Sequence, residues 1–255
     1  MNEWIADVGD ISLVDGGAWY AKGAANATSA GGGAGPWELQ WYVKTETFKA
    51  SLPFPEIKPH LEAHKAWVAG MRGEGKAITS GYRVDAEGKP GGGGLMLFAA
   101  ADYAAAEELV LRDPLVANHC VDWQLNEWIA DVGDISLVDG GAWYAKGAAN
   151  ATSAGGGAGP WELQWYVKTE TFKASLPFPE IKPHLEAHKA WVAGMRGEGK
   201  AITSGYRVDA EGKPGGGGLM LFAAADYAAA EELVLRDPLV ANHCVDWQLN
   251  EWIAD

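Results

Sequence analysis

The chain has 255 residues, 48% of them hydrophobic and 21% charged, the composition of a globular protein of one large domain or two ordinary ones. A formal net charge of -14 argues against nucleic acid or an anionic membrane surface as partners, because both demand clustered Lys and Arg. No apolar run approaches the ~20 residues that span a bilayer, and the N-terminus lacks the basic-then-apolar pattern of a signal peptide, so a cytoplasmic location is expected.

In chain order, the first feature is the hexapeptide Asn2-Glu-Trp-Ile-Ala-Asp7, which recurs at 126–131 and closes the chain at 250–255. Every residue from Asn2 to Asp131 has an identical counterpart from Asn126 to Asp255. Natural repeats of ~20–50 residues are imperfect, so identity at domain length reads as an engineered tandem or a very recent duplication. Residues 1–23 then read as a strand end and tail permuted to the N-terminus. The small, flexible stretch 24–36, repeated at 148–160, reads as a linker. These linkers bound a first unit, 37–147, and a second, 161–255, which lacks its tail. Residues 1–23 are expected to supply that tail, to the same chain or to a neighbouring one.

Within the unit, Trp37 to Glu46 alternates apolar and polar residues and predicts a strand. Pro55 to Gly75 predicts a helix with Ile57, Leu61, His64, Val68 and Met71 on one stripe. Ala77 to Val84 and Leu95 to Ala101 predict two strands joined by a long hairpin tip, Asp85 to Gly94. Asp102 is placed to cap a second helix running to about Leu111, which Asp113-Pro114 interrupts. Cys120 to Ile129 returns to strand alternation. The order βαββαβ is the split βαβ, ferredoxin-like arrangement of an α+β fold, twice per chain.

Three features taken together are similar to the YCII-related family of dimeric α+β barrel proteins. They are a His-bearing first helix running into Glu74-Gly-Lys-Ala-Ile-Thr-Ser-Gly81, a Gly-rich hairpin before Leu95-Met-Leu-Phe98, and a second helix leading to Asp113-Pro-Leu-Val116. The resemblance covers about 37–129 and 161–254 and implies a catalytic dyad, His64 with Asp113 and His188 with Asp237. It also implies sheets paired face to face, within one chain or between chains. The Trp-, Tyr- and Gly-rich tail departs from the family pattern.

On the residues alone, two readings of each dyad member stand. His64 on an apolar stripe needs a partner to be buried, so it is either a satisfied structural histidine or a site residue. Asp before Pro is a common turn initiator, so Asp113 is either that or the partner of His64. Were they to meet, the carboxylate would fix the imidazole tautomer and hold a general base. Such a pair suits isomerase or lyase chemistry on a small organic molecule, with no cofactor. The competing class is a designed scaffold, two units fused to control assembly or topology, with no catalytic role.

The other candidates carry blander readings. His60 lies one turn from His64, but no third ligand and no H-E-x-x-H pattern accompany the pair, so no metal is expected. His119 and Cys120, repeated at His243 and Cys244, read as structural, and one cysteine per unit cannot form a disulfide within it. Gly91 to Gly94 lack the Lys-Ser or Lys-Thr and the helix of a phosphate loop, so they read as hairpin flexibility. Tyr82 and Arg83 face opposite ways, and alternation does not say which lines a pocket. Trp37, Trp41, Trp67, Trp123 and Trp128 read as core and interface, and Asn26-Ala-Thr28 as a sequon inside a linker.

Overall fold

The computed structural model describes residues 40–133 and 164–254. The expectations placed on 1–23, on both linkers, on the first unit's tail, on Trp37 and on the sequon lie outside the described residues. The first unit runs β1 (Gln40–Phe48), α1 (Phe54–Gly73), β2 (Ile78–Val84), β3 (Pro90–Ala100), α2 (Tyr103–Leu111), α3 (Pro114–Ala117) and β4 (Val121–Val132). The second repeats it as β5 (Gln164–Phe172), α4 (Phe178–Gly197), β6 (Ile202–Val208), β7 (Pro214–Ala224), α5 (Tyr227–Leu235), α6 (Pro238–Ala241) and β8 (Val245–Ala254).

Local chemistry sets the ends of the helices. Extended Pro53 and a proline in the first turn start α1, and Glu56 there complements the helix dipole. Gly75 takes φ +81, a left-handed conformation that costs glycine least, and its N–H closes on the Arg72 carbonyl. The carboxylate of Asp102 accepts from the Ala105 N–H at 2.8 Å and caps α2 as its sequence predicts. Asp113 does the same for α3, accepting from the Leu115 N–H at 2.9 Å.

In each unit the strands lie in the order β4-β1-β3-β2, all antiparallel, with the helices on one face. That face buries Tyr42, Ile57, Val68, Met96, Phe98, Val110 and Leu125 at 6% exposure or less. Each such side chain contributes roughly 1.5–3 kcal/mol. The other face of each sheet turns toward its copy. β2 pairs with β8 and β4 with β6, and the eight strands close into one barrel within a single chain. Its interior core draws Val43, Leu95, Leu97 and Trp128 from one unit and Val167, Leu219, Leu221 and Trp252 from the other. An eight-stranded barrel is just narrow enough for side chains to fill, and closure leaves no strand edge unpaired.

Two expectations are corrected here. Gly91 to Gly94 lie inside β3, and the turn before them is only Asp85 to Lys89. Their role is close approach. A Cβ on Gly93, which sits at φ +77, would fall 1.9 Å from the Glu46 carbonyl oxygen, and one on Gly94 would meet the Glu46 carboxylate at 2.6 Å. Also, β4 continues to Val132, three residues beyond its predicted end, because its last residues pair with β6 of the other unit. At 126–131 and 250–254 the repeated hexapeptide is therefore seam. Glu127 and Ile129 pair with Val208 and Tyr206, and the Asn126 side-chain amide donates to the Val208 carbonyl at 3.1 Å. Asn250 does the same to Val84 across the β2–β8 seam.

Candidate active site

Alternation along β1 turns Tyr42, Lys44 and Glu46 toward the helices and Trp41, Val43 and Thr45 into the barrel. Lys44 is thereby buried at 1% exposure, where an ammonium needs compensating anions. It has two: Nζ donates to Asp113 Oδ2 at 2.5 Å and lies 2.5 Å from Glu46 Oε2. The α1 stripe delivers His64, whose Nδ1 lies 2.8 Å from Asp113 Oδ1. On its other side, Nε2 lies 2.8 Å from Ser80 Oγ on β2. Exposure along this chain is 2% for His64, 4% for Ser80 and 0% for Asp113.

The electrostatics assign the hydrogens. Burial alone would raise the Asp113 carboxyl, but the His64 hydrogen bond and the charge of Lys44 outweigh it and hold the group below its ordinary range. Against equivalent burial, the His188 hydrogen bond and the charge of Lys168 bring Asp237 down from 3.8 to about 2. An ionised Asp113 only accepts, so His64 Nδ1 is the donor. In the neutral ring Nε2 then keeps its lone pair and accepts from the Ser80 hydroxyl. The second unit repeats every distance: His188 to Asp237 at 2.8 Å, His188 to Ser204 at 2.8 Å, and Lys168 to Asp237 and Glu170 at 2.5 Å. Trp67, its ring centroid 6.1 Å from that of His64, also walls a cleft of about 420 Å³ bordered by Glu74, Lys76 and Arg112.

A depressed carboxyl stabilises the fold above its unfolded pKa, and that contribution is lost as pH falls through the folded one. Denaturant titrations should show a loss of stability between about pH 4 and pH 2 that Asp113→Asn with Asp237→Asn lacks. The double variant should be less stable at neutral pH, with a flatter curve below pH 4. An identical slope would mean that these two carboxylates are not the depressed ones.

The structure brings together each expected pair, His64 with Asp113 and His188 with Asp237. Asp113 is at once a helix cap and a partner of the imidazole, so its two sequence readings describe one carboxylate. His60 is half-buried one turn away, and among the described residues no three His, Cys, Asp or Glu side chains are grouped to hold a metal ion. His119 takes a left-handed φ of +55 where α3 ends, and burial pushes the Cys120 thiol up, as for an inert thiol. Ser80, Lys44 and Glu46 escaped sequence reasoning. The signal for the last two was the phase of β1, which places two charges in register with Tyr42 on the buried face.

A single chain that supplies both halves of an eight-stranded barrel, with a buried Ser-His-Asp-Lys network under each sheet, defines a fused dimeric α+β barrel protein. The chain belongs to the YCII-related family, whose domain matches twice, over 41–129 and 165–253. No curated protein sequence matches it. Solved structures similar to it include a variant of chlorite dismutase from Candidatus Nitrospira defluvii, at 8% identity and a TM-score of 0.48, covering 85% of this chain and 91% of that one. Another is an anthrone oxidase-like protein, at 13% identity and a TM-score of 0.47, with 85% and 91% covered. No helix among the described residues is long and apolar enough to cross a membrane.

Proposed function

We propose that each unit is a cytoplasmic acid–base site of isomerase or lyase type for a small organic molecule, working without a cofactor through His64 and Asp113, and through His188 and Asp237. The observation that carries this reading is the unbroken chain from Lys44 through Asp113 and His64 to Ser80. With Asp113 anionic and Nδ1 protonated, the imidazole is a base whose lone pair meets the Ser80 hydroxyl. A proton leaving an acidic C–H or O–H of the substrate passes to Ser80 Oγ as the serine's own hydrogen moves to Nε2. Asp113 stabilises the imidazolium that forms. Returning the proton to a different substrate atom completes an isomerisation; handing it to a departing group as that group's bond to the substrate breaks completes an elimination. Trp67, beside His64, also walls a cleft, though neither His64 nor Ser80 lines it, so the substrate must reach Ser80 past the Trp67 ring.

Turnover of a panel of small hydroxylated aromatics and lactones by the protein, and by a variant carrying His64→Ala and His188→Ala, tests this. The variant should lose roughly 10²–10⁴-fold in kcat, the span of general acid–base catalysis. Equal turnover by both would remove the dyad. A second reading, an engineered and permuted tandem made as a scaffold, is favoured by the burial of His64 at 2% and of His188 at 2% exposure. It predicts no turnover of any substrate and a melting temperature lowered by the same two substitutions.

A further inference from the structure

On the interior face of the barrel, four buried hydrogen-bond donors have no protein acceptor among the described residues: Nε of Arg83 and Arg207, and Nε1 of Trp128 and Trp252. They are not scattered. Arg83 pairs directly with Trp252 across the β2–β8 seam, and Arg207 with Trp128 across β4–β6, so each arginine shares a sheet face with its tryptophan. Trp128 and Trp252 belong to the interior core, which places the arginines on that side too. Antiparallel pairing around the whole ring makes β2 and β6 run the same way. Each arginine is next to last in its strand, so both sit at one end of the barrel, related by the pseudo-twofold axis along it.

Arg83 and Arg207 are each 9% exposed. The arginine–carboxylate pairs among the described residues are Arg112–Glu108 and Arg236–Glu232, on the surface; neither interior arginine has one. Burial lowers the pKa of both guanidiniums, and at Arg207 the neighbouring charge of Arg83 adds to burial and brings it to about 10. Two like charges thus lie near one another, largely out of water, with no counter-ion among the described residues. Arginine and tryptophan side chains donate and never accept, so the cluster complements only a ligand rich in acceptors. Space limits its size. Gly92 and Gly216 bring β3 and β7 so near that a Cβ on either would fall 2.6 Å from the Cβ of Arg83 or Arg207, and leucines fill the barrel beyond.

We propose that this end of the barrel, between Arg83 and Arg207, binds one compact oxyanion, a phosphate or a small carboxylate, with the indole N–H groups of Trp128 and Trp252 beside it. The site is distinct from the His64 and His188 networks, which lie on the opposite faces of the sheets, and it does not depend on what they do. One site forms per chain, because each unit contributes one arginine and one tryptophan.

The full chain in low-salt buffer, titrated with sodium phosphate and then sodium acetate while calorimetry and tryptophan fluorescence are followed, tests the proposal. Saturable binding of either anion at one site per chain, with a rise in Tm, is expected. Arg83→Met with Arg207→Met should weaken that binding roughly 10-fold or more and should raise Tm in the absence of anion, since the repelling buried charges are gone. No saturable response, an undiminished response in the variant, or an equal response to sodium chloride at matched ionic strength would overturn it. Should the variant not fold, the arginine Nε–H resonances of the unaltered protein serve instead: phosphate must shift two of them, and unmoved signals would overturn the proposal.

Discussion

Replacing Lys44 with methionine is expected to cost the fold about 3–5 kcal/mol, the usual penalty for removing one member of a buried ionic cluster. Lys44 is 1% exposed and lies 2.5 Å from carboxylate oxygens of both Glu46 and Asp113. Without it, two carboxylates face each other with no other lysine or arginine paired to either among the described residues. The loss arises from the charges left behind, not from the contacts removed. A triple variant, Lys44→Met with Glu46→Gln and Asp113→Asn, should therefore recover most of it while still lacking the network. Urea unfolding of the three proteins checks both statements. A loss below about 1 kcal/mol for Lys44→Met, the range of exposed ion pairs, would mean that the ammonium is not the counter-ion the geometry makes it.

Gly205→Ala is expected to open the barrel. Gly205 on β6 pairs with Ala130 on β4, and a Cβ there would fall 2.2 Å from the Ile129 carbonyl oxygen and 2.8 Å from Cε2 of Trp128. Neither the seam backbone nor the indole, buried at 4% exposure in the interior core, can move aside cheaply. Overpacking of this kind costs about 1–3 kcal/mol or more, and here it falls on one of the two ladders that join the units. Light scattering should give the unaltered protein one chain mass, 27.1 kDa, across the concentration range. The variant should melt lower and gain mass with concentration, as the released edges of β4 and β6 pair with other chains. An unchanged Tm and mass would place the closure elsewhere.

Much of this architecture is legible in the sequence, for identifiable reasons. The α1 stripe is read at helical spacing, and Ile57, His64, Val68 and Met71 are all buried on it. The Asp102 cap announces α2 because capping is local chemistry, decided within three residues, whereas Asp113-Pro114 reads only as the interruption of that helix and not as the cap of α3. What depends on distant pairing is hidden. The end of β4 looks like the start of a tail until β6 is there to pair with it, and four consecutive glycines look like slack until Glu46 is seen packed against them. The same limit applies at the candidate site. His64 and Asp113 could be paired through a family resemblance, but Lys44 and Glu46 are only polar positions of an alternating strand. Only the helices laid over that face make them interior, and only then does Ser80 come to lie against the imidazole.

The single-chain barrel also changes what substitution can do at its axis. In a dimer of separate, identical subunits, a residue beside the twofold meets its own copy, so like always faces like. Here the two positions are encoded separately. Arg83 can be exchanged for glutamate while Arg207 is kept, turning a repelling pair into an attracting one, an arrangement that no symmetric homodimer can reach by mutation. In the same way, one His-Asp network can be disabled beside its intact twin, so that every molecule carries its own internal control.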